Sequence, residues 1–491
     1  MPPFIDFKNT YTTLPENFYR RTQPVPVKSP ELVTFNFSLA EELGFRLQGI
    51  NSTDLAAVFS GNVLPLGAEP LALAYAGHQF GHFVPQLGDG RAILLGEIID
   101  EKSRRRDIQL KGSGSTAYSR QGDGRAALGP MLREYLVSEA MHGLGIPTTR
   151  ALALVLTGEQ VQRENLMPGA VLTRIAQSHI RIGTFEYFAF RQDLRSLKIL
   201  ADYTIWRHYP DLKNSQETYF LLFNAIRDHQ AFLVAQWMRV GFVHGVMNTD
   251  NMAVSGETID YGPCAFLDEY QQNKVFSSID RHGRYAFARQ PAVALWNLYQ
   301  LARTLILLEH PQSKELSKKW EESIEDFEKV YQKHYLENMG KKIGLPRLNP
   351  EDVKLLEKLL TIMQEEKADY TLTFHYLTQH VENIPWLFPE LFKPSKALQE
   401  WIIAWQKRQE IYNLLPETSA SLMRSVNPAI IPRNHIIEAI IQSAITDNDF
   451  SEFKNLIKVL TNPYIPIDNA IKKYARAPGV DEKVYKTFCG T

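Results

Sequence analysis

A chain of 491 residues with 54 basic and 55 acidic side chains has a formal net charge of −1, so it has no bulk attraction for nucleic acid or anionic lipid. Hydrophobic residues at 44% and charged residues at 22% suit an ordinary folded protein of two or three domain-sized units, or one large two-lobed enzyme. Two cysteines, Cys264 and Cys489, exclude a disulfide framework and a four-cysteine zinc site, and no apolar run is long enough to span a bilayer.

Residues 1–70 are mixed, with Pro24, Pro26 and Pro30 breaking the early part into extended pieces. Short helices are expected near 38–43 and 54–60. The first 21 residues lack a basic segment followed by an apolar one, so the cytoplasm is the expected compartment. No membrane or nucleic-acid partner is expected from the charge and hydropathy, and the expected state is a monomer. The pattern changes at Gly77. Runs at 92–99 and 107–111 predict strands, with Arg104, Arg105 and Arg106 between them as a solvated hairpin turn.

A glycine-rich loop occupies 112–124. A helix then opens at Pro130, with Met131, Leu132, Tyr135, Leu136 and Met141 at helical spacing, and Gly143 and Gly145 end it. Further strands are expected at 151–156 and 170–175. After about Phe185 the chain turns helical, with a long amphipathic helix at 219–240 stopped by Gly241. Residues 282–491 are mainly helical, with long patterns at 293–308, 315–335 and 353–366. The expected class is α/β (α+β), and the strand and helix order is that of a kinase-like small lobe. The expected divisions are an N-terminal extension (1–70), a kinase-like small lobe with glycine-rich loops (71–184), a large-lobe catalytic region (185–281) and a helical part with a regulatory tail (282–491).

The stretch richest in chemistry runs from His244 to Gly262. A kinase catalytic loop reads His-x-Asp-x-x-x-x-Asn and is followed by Asp-Phe-Gly. With Asn251 at the place of that Asn, Val246 falls where the catalytic Asp belongs, and valine neither accepts a proton nor binds a metal. Asp250, one residue before Asn251, supplies a carboxylate nearby. Asp260, Tyr261 and Gly262 follow. An amide oxygen and a carboxylate are enough to seat a divalent ion that takes its other ligands from phosphate. A small hairpin of 252–254 with 257–259 is expected to bring Asn251 and Asp260 together.

Lys111 closes the strand 107–111, the place of a kinase's phosphate-binding lysine, with Glu134 or Glu139 of the next helix as its partner. Gly88, Gly90 and Arg91 form one glycine turn, and Asp123, Gly124 and Arg125 belong to a second of the same form. Such turns let backbone N–H groups approach phosphates. Arg174 and Arg181 carry the fork geometry that suits phosphate oxygens. No Walker loop is present, since Gly112-Ser113-Gly114-Ser115-Thr116 lacks the lysine. His78 and His82 lack the glutamate of a zinc-protease helix, and Tyr75 and Phe80 beside them favour a packed loop.

These blocks together resemble the selenoprotein O (SelO) family of protein adenylyltransferases with a kinase-like fold. The resemblance rests on Tyr75-Ala76-Gly77-His78-Gln79-Phe80-Gly81, Gln86-Leu87-Gly88-Asp89-Gly90-Arg91, Gln109-Leu110-Lys111-Gly112-Ser113-Gly114 and Gly122-Asp123-Gly124-Arg125. It continues through Arg133-Glu134-Tyr135, Gly145-Ile146-Pro147-Thr148 and Arg174-Ile175-Ala176, and covers about 70–270. It implies a two-lobed protein-kinase-like fold with a mainly helical C-terminal extension. It also implies that ATP binds in a flipped orientation and that AMP passes to Ser, Thr or Tyr hydroxyls of proteins with release of pyrophosphate.

Carried over by motif, Lys111 pairs with Glu134 and contacts phosphates. Gly88, Gly90, Arg91, Asp123, Gly124, Arg174, Arg181 and Asp260 line the nucleotide. Asp250 is the base, and Asn251 with Asp260 holds Mg²⁺ or Mn²⁺. Some members carry selenocysteine third from the C-terminus, where this chain has Cys489, and related bacterial proteins are regulated by a disulfide of that residue. Cys264 is its hypothetical partner here. The other readings are an ordinary kinase-like phosphotransferase, a UMP transferase, and a non-catalytic pseudokinase scaffold motivated by Val246.

Overall fold

The computed structural model describes residues 4–309 and 314–487. Eleven strands appear among these residues: β1 (Tyr19–Arg21), β2 (Glu31–Phe35), β3 (Leu71–Leu73), β4 (Gly77–Gln79), β5 (His82–Val84), β6 (Ala92–Ile99), β7 (Arg105–Lys111), β8 (Arg150–Gln162), β9 (Leu166–Ala176), β10 (Phe242–Val243) and β11 (Ala265–Phe266). Seven form one sheet in the order β1-β3-β6-β7-β9-β8-β2, with every neighbouring pair antiparallel. The other four make two small ladders, β4 with β5 and β10 with β11.

Successive side chains of a strand point to opposite faces, and here both faces are covered. Leu95, Leu152, Val155, Val171 and Ile175 enter one core with Phe4, Phe35, Leu39, Leu55 and Phe59, beneath the helices Phe37–Glu42 and Ser52–Phe59. Leu94, Leu154, Ala170 and Leu172 enter a second, larger core with the helix Leu128–Gly143 and the C-terminal helices. That double coverage is why these strands read as unbroken apolar runs rather than as alternating ones. Toward the cleft end of the sheet the second face turns polar. Ile108 and Leu110 stay in the first core while Gln109 and Lys111 point the other way.

The helix Leu128–Gly143 starts before Pro130, which sits in the first turn where its missing N–H has no intrahelical role. Nearly all of its surface is buried, and Tyr135 meets Phe453 edge-on with ring centroids 5.5 Å apart. The helix Thr218–Val240 ends at Gly241 with φ of 73°, a left-handed cap that glycine reaches without a Cβ clash.

The remaining helices include Gln290–Leu305, Lys314–Lys342, Pro350–Glu365, Tyr370–Val381 and Asn434–Thr446. No helix among the described residues is long and apolar enough to cross a membrane.

Two local expectations change. Arg105 and Arg106 are not solvated: Arg105 reaches Glu97 at 3.2 Å and Arg106 reaches Asp100 at 3.1 Å, while Arg104 alone stays half exposed. The carboxylates of Glu97 and Asp100 lie across the hairpin, a cross-strand pairing that local sequence does not reveal. The early segment also does more than lead into the sheet, since β1 and β2 form its two edges.

Candidate active site

Register sets the first two residues of the site. Gln109 stands directly opposite Arg174 in the β7–β9 ladder, and Lys111 lies two residues further along the same face. Lys111 Nζ donates to Glu134 Oε2 at 2.6 Å and to Asp260 Oδ1 at 3.1 Å. Arg174 donates to Glu134 Oε1 at 2.7 Å and to Asp260 Oδ1 at 2.5 Å. Arg181, just before the helix Ile182–Phe190, donates to Asp260 Oδ2 at 2.8 Å and to the Asp250 carbonyl at 2.6 Å. Its guanidinium also lies over the Tyr75 ring, 4.6 Å from the centroid. Three cations therefore converge on Glu134 and Asp260, with a third carboxylate, Asp89, 3.8 Å from Arg181.

Electrostatics follow from that count. Burial pushes both carboxyls up, but the cations win. Arg174 and Lys111 hold Glu134 below its usual range, and Arg174, Lys111 and Arg181 hold Asp260 well below. Asp260 takes φ of 64°, a left-handed conformation that aspartate tolerates better than most residues, and so aims its carboxylate back at the sheet. His244 fixes the preceding peptide, its ring Nε2 lying 2.9 Å from the Ile259 carbonyl oxygen.

Asp250 behaves in the opposite way. It sits in the short 3₁₀ turn Thr249–Asn251 and is 7% exposed. Burial pushes its carboxyl up to about 7 against the pull of Arg181, with Asp260 and Glu186 adding to the rise. Its Oδ1 is buried without a hydrogen-bond partner. Glycines allow the close packing: a Cβ on Gly77 would overlap the Asp250 carboxyl, and one on Gly183 would overlap the Ala76 carbonyl. The turn is anchored by Thr249, whose hydroxyl donates to Glu186 and accepts from the His78 N–H at 2.7 Å. His78 Nδ1 in turn lies 2.6 Å from Glu186 Oε1.

Tyr75, Lys111, Glu134, Arg174, Arg181, Asp250 and Asp260 line one cleft of about 790 Å³, together with Gly88, Asp89, Gly90, Arg91, Asp123, Gly124, Val246 and Asn251. A cleft of this size, lined by convergent cations, suits a polyanionic small molecule. Asn251 Nδ2 donates to the Val246 carbonyl at 3.0 Å, which leaves its Oδ1 as an acceptor. The Asp260 side chain is 20% exposed. These are hard oxygen donors. Among the described residues no group of three or more His, Cys, Asp or Glu side chains forms a metal cage. One amide and one carboxylate instead fit an ion such as Mg²⁺ that completes its shell from phosphate and water.

A family model described as protein adenylyltransferase SelO matches residues 4–461. The chain belongs to that family. Three relatives, each named protein nucleotidyltransferase YdiU, cover it almost end to end. That of Rhizobium meliloti (strain 1021) is 54% identical over 487 residues, covering 99% of both chains. That of Agrobacterium fabrum (strain C58 / ATCC 33970) is 52% identical over 99% of both. That of Rhizobium rhizogenes (strain K84 / ATCC BAA-868) is 52% identical over all of this chain and 97% of its own. The chain is accordingly an enzyme of the protein nucleotidyltransferase class.

In this SelO-family chain, Lys111, Glu134, Arg174, Arg181 and Asp260 meet in one hydrogen-bonded cluster, with Asp250 tied to it through its carbonyl. Glu134 rather than Glu139 is the lysine's partner, because Glu139 is committed to Arg150 at 2.8 Å and to the Ala151 N–H at 2.9 Å. Asp123 lines the cleft but turns its carboxylate to Arg163 at 3.0 Å. Gly124, with φ of 67°, packs so tightly on Gly114 that any side chain would overlap it.

The expected hairpin of 252–254 with 257–259 does not form. Ala253 bridges to Arg181 and Thr258 to Thr148, so each arm pairs with another segment. Cys264 is buried, and Cys489 lies outside the described residues.

Asp89, Tyr75, Asn248 and Glu186 are cleft or supporting residues that sequence reasoning missed. Asp89 sits inside the glycine turn Gly88-Asp89-Gly90-Arg91, whose form signals backbone freedom and not the buried carboxylate that lies 3.8 Å from Arg181. Glu186 lies on a helix whose pattern is that of ordinary core packing.

Proposed function

We propose that the chain transfers AMP from ATP to Ser, Thr or Tyr hydroxyls of proteins and releases pyrophosphate. One observation carries the reading: Lys111, Arg174 and Arg181 gather in a cleft that also holds the buried carboxyl of Asp250. Glu134 fixes Lys111 and Arg174, and the three cations hold the triphosphate. Gly88, Gly90 and Gly124 let backbone approach it, and Arg91 and Asp123 border it. Asn251 and Asp260 would hold a divalent ion, Mg²⁺ or Mn²⁺, which when bound neutralises phosphate charge.

The acceptor hydroxyl gives its proton to the Asp250 carboxylate. Its oxygen forms a bond to the α-phosphorus while the bond to the bridging oxygen of the leaving pyrophosphate breaks. A carboxyl poised near 7 suits a general base at neutral pH. Cations around the departing phosphates stabilise charge that develops only in the transition state.

Two features support a two-lobed kinase-like reading of the fold, with residues 71–184 as small lobe, 185–281 as catalytic region and 282–491 as helical extension. One is the Lys111–Glu134 pair between a sheet strand and the following helix. The other is the loop and turn carrying Asn251 and Asp260. Val246 at the usual base position argues against ordinary phosphoryl transfer.

Redox control through Cys264 and Cys489 belongs to the same proposal. The Thr487 hydroxyl, two residues before Cys489 in the chain, donates at 2.6 Å to the carbonyl of Pro263, the neighbour of Cys264. Thiol labelling with and without reductant tests it, and two fully labelled thiols in the oxidised protein would sink it.

Incubation with α- or γ-labelled ATP, or with α-labelled UTP, and a mixed protein acceptor tests the main reading. Label is expected on protein from the α position of ATP. Label from γ alone means a kinase, α-label from UTP alone means a UMP transferase, and binding without any label means a scaffold. Asp250→Ala should slow transfer by about 10²–10⁴-fold with ATP affinity little changed, and an unaltered rate would remove Asp250 from the base role.

A further inference from the structure

We propose that the cleft lip formed by residues 279–289 and the β4–β5 turn docks acidic segments of the protein acceptor. This rests on the protein-acceptor reading above and names the substrate's charge. The lip lies beside the candidate base. Ile279 lines the cleft that holds Asp250 and is 63% exposed. The Tyr285 hydroxyl donates to Asn248 Oδ1 at 2.6 Å, and the Phe80 N–H donates to the same oxygen at 3.1 Å. Segment 279–289 and the β4–β5 turn are thus both tied to the loop that carries Asp250. A polypeptide presenting a hydroxyl to Asp250 passes over this lip.

Its charge is one-sided. Residues 279–289 hold Arg281, Arg284 and Arg289 against a single carboxylate, Asp280. That carboxylate is committed to backbone, accepting from the Arg284 N–H at 2.9 Å and the Tyr285 N–H at 2.8 Å. Among the described residues, none of the three arginines has a carboxylate oxygen within 4.0 Å.

Arg284 is held on aromatic faces instead, 4.6 Å from the Trp296 centroid and 5.8 Å from that of Tyr285. Its Nε is buried without a hydrogen-bond partner. A cation–π contact orients a guanidinium without neutralising it. Arg281 and Arg289 are exposed.

The contrast with the rest of the chain is informative. Net charge is −1, and most buried arginines outside the cleft are matched by carboxylates, as Arg207 is by Asp107 and Glu97. Unmatched cations clustered at the acceptor side of a cleft select a partner by complementary charge and speed its encounter. The nucleotide does not account for them, since Lys111, Arg174 and Arg181 already gather deeper in the cleft.

The test uses the full chain and fluorescein-labelled twelve-residue peptides. Each has one central serine, flanked by glutamate, glutamine or lysine. Anisotropy is expected to give binding about tenfold tighter for the glutamate peptide than for the glutamine one, weakening as salt rises. An Arg281→Glu, Arg289→Glu double variant should remove the preference, while an Arg281→Lys, Arg289→Lys double variant should keep it. Equal binding of the three peptides overturns the proposal. So does a preference that survives charge reversal, or tighter binding of a single-stranded oligonucleotide than of the glutamate peptide.

α-Labelled ATP in the same mixtures separates the two claims. Label on all peptides alike supports AMP transfer and rejects the acidic preference. Charge-selective binding without label keeps the docking surface and rejects AMP transfer.

Discussion

Two buried clusters of charge in this molecule look alike and do different things. In the C-terminal half, Arg433 meets Asp268 at 2.6 Å and Asp369 at 2.7 Å, one cation between two carboxylates. In the cleft, Lys111, Arg174 and Arg181 share Glu134 and Asp260. The aspartates record the difference. Burial raises Asp369 despite Arg433, with Asp268 adding to the rise, whereas three cations overcome burial and hold Asp260 well below its usual range.

The first cluster lies outside the cleft and is short of positive charge, so it has little to offer an anion. It ties the helix Asn434–Thr446 to the start of Tyr370–Val381. The second opens to a cleft and gathers three cations where the first has one, so it can offer positive charge to phosphate. Buried ion pairs by themselves say little about stability or function. Their charge balance, and whether they line a cleft, distinguish structural clusters from binding ones.

Four substitutions sharpen the contrast. Asp260→Ala should give the largest effect, lowering nucleotide transfer by about 10³-fold or more while the protein stays folded. Retained transfer in a labelled-ATP assay would place the cleft cluster in the structural class. Gly77→Ala should cost about 10²-fold in rate, because the new Cβ meets the Asp250 carboxyl. ATP affinity by calorimetry should hold, and an unchanged rate would mean that Asp250 need not sit where it does.

Arg433→Met should do the reverse. It should destabilise by about 3 kcal/mol in urea unfolding, since two buried carboxylates lose their cation, yet leave transfer per folded molecule unchanged. A loss of transfer without a loss of stability would erase the distinction between the clusters.

The smallest effect concerns His435, next to this structural cluster. Burial, with Arg433 and Arg476 adding to it, pushes its imidazole down to about 4. A histidine held neutral in the fold supports stability fully above the unfolded value of about 6.5, and that support falls away as pH drops from there toward 4. His435→Gln should therefore narrow the stability loss between pH 6.5 and 5 by about 1 kcal/mol after solvent screening. Parallel curves for the two proteins would contradict this.

Much of the cleft was legible because its motifs are local. Lys111 ends a strand, and Asn251 and Asp260 occupy a loop and turn whose spacing is itself the signal. The choice between Glu134 and Glu139 was not legible, since both lie on the same helix. Only the position of β8 decides it, by bringing Arg150 and the Ala151 N–H to Glu139. The hairpin expected around 252–259 failed for a similar reason, with both arms finding better partners in distant segments. The edge strands β1 and β2 were hidden by their length and polarity, and β1 spans only Tyr19–Arg21.

The sequence by itself determined which chemical groups this enzyme has and the family it belongs to, because motif residues and their spacing are written along the chain. Tertiary structure alone decided how those groups are charged and what they face. The raised carboxyl of Asp250, the lowered one of Asp260 and the unmatched arginines of the 279–289 lip all depend on burial and on neighbours far apart in sequence. Solvation and Coulomb energies follow distance in space, which local sequence does not record.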